Sequence, residues 1–135
     1  DYAHHPTEII NTIKTAQGTK AKKLYVVFQP HRYSRTQNLM EEFSKSFDEV
    51  DELILTDIYS ASEKPIEGVS SKKLFELIKE HKKYNNLDFG VKYIKDFKEI
   101  EDYLRHNLKP TDLLVTIGAG NVYEIGENLV GESHE

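Results

Sequence analysis

The residues best suited to chemistry are Arg32 and Arg35, in the stretch Gln29-Pro30-His31-Arg32-Tyr33-Ser34-Arg35-Thr36 that follows the apolar run Leu24-Tyr25-Val26-Val27-Phe28. A guanidinium offers two parallel N–H donors to a carboxylate or phosphate, a fork that an ammonium cannot copy. If Ser34 opens a helical turn, arginines three apart project in similar directions and form a paired oxyanion grip. Ordinary solvated loop arginines are the alternative that residue type alone leaves open. A second candidate is Gly118-Ala119-Gly120-Asn121, after the apolar run at 112–117. Glycines there let the backbone approach an anion, but the dinucleotide fingerprint needs a third glycine where this chain has Tyr123. His4 and His5, with Asp1 or Glu8, supply imidazole and carboxylate. Adjacent histidines diverge, however, and no third ligand has metal-site spacing. No Gly-x-x-x-x-Gly-Lys-Ser/Thr loop is present to cradle a nucleoside triphosphate, and no Ser or Cys nucleophile has a visible partner base.

These residues need a scaffold, and the hydrophobic pattern supplies one. A helix is predicted from Pro6-Thr7-Glu8 through Ile9, Ile10 and Ile13 to Gly18. Strand 23–28 follows, then a helix carrying Leu39, Met40, Phe43 and Phe47 that ends near 48–50. Strand 52–56 runs into an irregular segment, 57–68, which is long for an α/β connection and so a candidate functional loop. Ser70-Ser71 caps a helix with Leu74, Leu77 and Ile78 facing inward, and a weaker strand follows at 91–94. Asp96 caps a helix with Phe97, Ile100, Tyr103 and Leu104, which Lys109-Pro110 stops. Strand 112–117 and a last helix with Val122, Ile125 and Leu129 complete the chain. Four strands alternating with helices predict an α/β fold, a small doubly wound, mostly parallel sheet with helices on both faces, Rossmann-like in plan. In such a sheet the carboxyl ends of the strands share one rim, which gathers Arg32 and Arg35, the 57–62 segment and Gly118-Ala119-Gly120.

With 135 residues, 38% hydrophobic and 30% charged, one compact domain is expected. The absence of cysteine excludes disulfides and thiolate zinc sites and fits a reducing compartment. Eighteen basic against 23 acidic residues leave a net charge of −5, so a general nucleic-acid footprint is not supported. No apolar run approaches the roughly 20 residues that span a bilayer, and the amino terminus lacks the basic start and apolar block of a signal peptide. A cytoplasmic protein with no membrane partner is the expectation. The first residue is Asp rather than Met, which suggests a piece of a longer chain.

Four segments, taken together, carry a resemblance. Asp1-Tyr2-Ala3-His4-His5-Pro6-Thr7-Glu8, then Phe28 through Thr36, then Asp57-Ile58-Tyr59-Ser60-Ala61-Ser62-Glu63 with Pro65-Ile66-Glu67-Gly68, then Gly118-Ala119-Gly120-Asn121, resemble in kind and order the carboxy-terminal domain of the Mur ligases. The Asp-x-x-His-x-Pro element is shared with folylpolyglutamate ligases. His31-Arg32-Tyr33-Ser34-Arg35 points more narrowly to the branch that joins L-alanine to UDP-N-acetylmuramate. A recycling branch, which attaches a ready-made peptide, matches less well after the first strand, and a free-standing carboxylate- or nucleotide-binding module is the reading from another class. The resemblance implies an ATP- and Mg²⁺-dependent amide ligase of peptidoglycan synthesis that works through an acyl phosphate. Its amino-terminal and central domains would be the partners of this one, with residues 1–6 as an interdomain hinge and 7–135 as a single domain. Alone, this domain would turn nothing over and hold no cofactor.

By resemblance, Asp1 and His5 fall to the nucleotide, and Tyr2 and His4 to the interface near ATP and the incoming alanine. Arg32 and Arg35 fall to the substrate carboxylate, with His31, Asp57, Tyr59, Gly118 and Asn121 as further candidates. Ser62 stands where many relatives carry Gly.

Overall fold

The computed structural model describes residues 5–133, with side chains through residue 130. At its centre lies β1 (Leu24–Phe28), five consecutive buried residues. A strand without a polar face must be covered on both sides, and this one is. Leu24, Val26 and Phe28 enter one core with Ile9 and Ile13, Phe43 and Phe47, and Leu74 and Ile78. Tyr25 and Val27 enter a second core with Ile100, Leu104, Val122 and Ile125. That alternation puts α1 (Pro6–Gln17), α2 (Tyr33–Ser44) and α3 (Ser71–Tyr84) on one face, and α4 (Phe97–Asn107) and α5 (Tyr123–Ser133) on the other. Phe28 ties β1 to α2, its ring 5.3 Å from Phe43 and 5.1 Å from Phe47.

The sheet is parallel throughout, in the order β3 (Gly90–Tyr93), β2 (Glu52–Leu55), β1, β4 (Leu113–Ile117). Val26 aligns with Leu53 on one side and Val115 on the other. The predicted α/β class and doubly wound order hold, with no antiparallel strand in the sheet. Because β2 and β3 build outward on one side of β1 while β4 returns to the other, the strand order reverses between β1 and β4. Crevices at the carboxyl ends of strands form at such a reversal.

Three helix starts follow their sequence signals. The His5 side chain accepts from the Thr7 N–H ahead of Pro6, Ser70 accepts from Lys73, and Asp96 accepts from Lys98. His5 and Pro6, the last two residues of the expected hinge segment, are the cap and first turn of α1, and residues 1–4 lie outside the described residues. The α2 helix stops at Ser44, short of the expected 48–50, because the Ser44 and Ser46 hydroxyls turn back onto the Glu41 and Glu42 carbonyls. Val122 precedes α5 instead of lying within it. Among the described residues no helix is long and apolar enough to cross a membrane.

Candidate functional site

On leaving β1 the chain passes through the buried Gln29 and reaches Arg32, whose φ of 72° and ψ of 142° lie outside the basins that side-chain-bearing residues prefer. A local bridge imposes that conformation. Tyr59 N–H donates to the Pro30 carbonyl at 2.9 Å and Arg32 N–H donates to the Tyr59 carbonyl at 2.8 Å, so the start of the long loop runs parallel to 30–32. Arg32 is therefore the cap position of α2, not a helical residue, and the helical-spacing argument for the pair fails there. The two arginines nevertheless converge. Arg32, Ser34, Arg35, Asn38 and Leu39 line one open groove of about 420 Å³, with Arg32 exposed and Arg35 half-buried. Among the described residues neither guanidinium has an ion-pair partner.

Arg32 has no capping side chain to offer α2. Glu63 reaches in from the loop instead, accepting from Ser34 N–H at 3.0 Å and from the Ser34 hydroxyl at 2.6 Å. The two Ser34 bonds hold the Glu63 carboxyl below its usual range. His31 stacks on Tyr59, ring centroids 5.7 Å apart and planes 8° from parallel. Burial, then the charges of Arg32 and Arg35, push its imidazole below the ordinary histidine value, so it is neutral at neutral pH. Asp57 opens the loop as the acceptor of a short hydrogen bond from the Tyr93 hydroxyl.

The glycine turn after β4 has a different character. A Cβ at Gly118 would lie 2.7 Å from Val122 and 3.1 Å from Gln29, and one at Gly120 only 2.4 Å from the Tyr59 ring. Both glycines are required by the chain's own packing, so the expectation that they leave room for an anion is replaced by a steric reason. Asn121 accepts at 3.0 Å from the Gln29 side-chain amide, which joins this turn to the start of the arginine segment.

The structure thus brings His31, Arg32, Arg35, Asp57, Tyr59, Gly118 and Asn121 to one rim, while His5 is occupied at the α1 cap. Asp1, Tyr2 and His4 lie outside the described residues. Sequence reasoning missed Gln29, Glu63 and Tyr93. Glu63 sat inside the loop flagged for its length, but nothing in its spacing pairs it with Ser34. Among the described residues no cluster of three His, Asp or Glu side chains could hold a metal ion. A larger groove of about 950 Å³, lined by Pro110, Leu114, Tyr123 and Leu129 among others, is mostly apolar and shares no residue with the arginine groove.

Comparison with known proteins identifies the family. The family model for the Mur ligase, glutamate ligase domain matches residues 1–120. UDP-N-acetylmuramate–L-alanine ligases are 50% identical in Geotalea uraniireducens, across 96% of this chain, and 47% identical in Acetivibrio thermocellus, across 94%. The chain spans about a quarter of their length, 27% and 26%. A murein peptide ligase from Psychrobacter arcticus shares the fold with a TM-score of 0.72 at 19% identity, covering 97% of this chain and 26% of that one. A domain solved from Haemophilus ducreyi does so with a TM-score of 0.60 at 17% identity, over 98% of this chain and 86% of that one. This chain belongs to the Mur ligase, glutamate ligase domain family.

Proposed function

We propose that this chain is the carboxy-terminal domain of a cytoplasmic ligase that joins L-alanine to UDP-N-acetylmuramate in peptidoglycan synthesis, and that Arg32 and Arg35 hold the substrate carboxylate at the domain interface. The observation that carries the reading is the convergence of two guanidiniums without ion-pair partners among the described residues on one open groove at the strand ends. The identity of 42–50% to ligases named for these substrates supports the choice of acid and amine.

In this reading ATP activates the acid as an acyl phosphate and the amine of alanine displaces the phosphate. The arginines make no bond in that exchange. They hold a carboxylate so that the reacting atoms meet, which lowers the entropic part of the barrier. Mg²⁺ and the triphosphate would fall to the central domain, with Asp1 and His5 reaching the nucleotide and Tyr2 and His4 facing the alanine across a hinge at the start of the chain.

Steady-state kinetics of Arg32→Lys and Arg35→Lys in the full-length ligase test the proposal. Losing a charge-assisted hydrogen bond of about 1.5–3 kcal/mol lowers kcat/KM roughly 10- to 150-fold. The substrate whose KM rises is the one whose carboxylate is held. Two variants within about twofold of the unaltered enzyme return both arginines to solvated surface residues.

A further inference from the structure

The backbone irregularities of this molecule are not spread evenly. Among the described residues four non-glycine residues have positive φ, and three of them, Arg32 at 72°, Ala61 at 51° and Ser62 at 73°, belong to the arginine segment and the loop that meets it. Such conformations are strained and persist only where the surroundings fix them. Two elements here do the fixing. One is the backbone bridge between 30–32 and Tyr59. The other is Glu63, which directly follows the two left-handed residues and accepts from both donors of Ser34, one of the two residues between the arginines of the groove.

We propose that Glu63 is a positioning residue for the carboxylate grip: by capping α2 from the 57–68 loop, it sets where Arg32 and Arg35 point. The proposal rests on the carboxylate role of those arginines and adds the part that orients them. A helix start with its own capping side chain is fixed locally, as at His5, Ser70 and Asp96. The α2 start has none, so its orientation depends on a residue 29 positions away. Glu63 spends both carboxylate oxygens on Ser34 and forms no ion pair with either guanidinium among the described residues, which leaves the fork open to a substrate anion.

The test uses the full-length ligase with Glu63→Ala, Glu63→Gln, Ser34→Ala and, as control, Glu67→Gln, an exposed residue of the same loop. Glu63→Ala is expected to raise KM roughly 10- to 100-fold for the same substrate that Arg32→Lys affects, with kcat nearly unchanged. Glu63→Gln keeps one acceptor oxygen and should fall between that variant and the unaltered enzyme. Ser34→Ala, which leaves the backbone donor in place, should show a smaller rise, and Glu67→Gln none. A lowered melting midpoint for Glu63→Ala with both KM values unchanged, while Arg32→Lys still raises one, would make Glu63 a stability cap only and overturn the inference. If the arginine variants also leave both KM values unmoved, it is the carboxylate site itself that has failed.

Discussion

The rim at the carboxyl ends of the strands has two halves built to opposite plans. Around Gly118 and Gly120 the chain fills its own space: Tyr59, Gln29 and Val122 press on the glycines, and Gln29 bonds to Asn121. Around Arg32 and Arg35 it leaves a groove open, and the polar groups that could have closed it, those of Glu63, are spent on Ser34. From sequence the arginine half was the leading anion site, with plain solvated surface as its alternative, and the glycine half a weaker candidate because Tyr123 stands where the third glycine of the fingerprint belongs. The difference teaches that a glycine after a strand marks close approach without saying of what, whereas these two cations face an unfilled groove with no ion-pair partner among the described residues.

If that division is right, substitutions in the closed half should cost stability and those in the open half activity. The largest stability effect is expected at Gly120→Ala, whose added methyl meets the Tyr59 ring and so forces overpacking worth about 1–3 kcal/mol in denaturant unfolding. A neutral outcome would mean that the turn and Tyr59 are loosely placed, and the contrast between the halves would weaken. Arg32→Lys, by comparison, should move stability by less than about 0.5 kcal/mol.

A smaller effect is expected where the loop is anchored. Tyr93→Phe removes the donor to Asp57 and should cost about 1–2 kcal/mol. Burial, then the bond to and charge of Asp57, push the Tyr93 hydroxyl up to about 12 from an ordinary 10.0. With the pKa raised on folding, this stabilisation is complete below pH 10.0 and is lost as pH rises through about 12. Unfolding midpoints across an alkaline series should fall less steeply in Tyr93→Phe, and an equally steep fall in both would remove the anchor. Glu63 runs the other way. Its carboxyl is held low, so the clamp is present at neutral pH and lost only as pH falls through that lowered value. The smallest effect is at Ser62, where φ of 73° suits glycine. Ser62→Gly should stabilise by about 0.5–1 kcal/mol, and a destabilised variant would show that the side chain has a role of its own.

Much of the scaffold was legible because it rests on local patterns. The unbroken apolar run of β1 announced a strand covered on both faces, and Ser70, Asp96 and Pro6 announced their helices. The rim could be foreseen from topology alone, since parallel strands put Arg32 and Gly118 on the same edge. The long-range pairs could not. Ser34 with Glu63, Gln29 with Asn121 and Tyr93 with Asp57 join residues 29, 92 and 36 positions apart, and nothing in either partner's neighbourhood names the other. The left-handed Arg32 was hidden for the same reason, because its conformation is imposed by Tyr59 from the next connection. Ser62 was hidden as well, since nothing in its own neighbourhood announced the φ of 73° found there.

The carboxylate role proposed for Arg32 and Arg35 puts the substrate anion on the arginine half of the rim and not on the glycine half. A structure of the full-length ligase with UDP-N-acetylmuramate and L-alanine bound decides between them. A substrate carboxylate is expected about 2.7–2.9 Å from guanidinium nitrogens of Arg32 and Arg35, with Glu63 still on Ser34 and Tyr59 still against Gly120. A carboxylate seated on the turn at 118–121, with both guanidiniums turned to solvent, would contradict it.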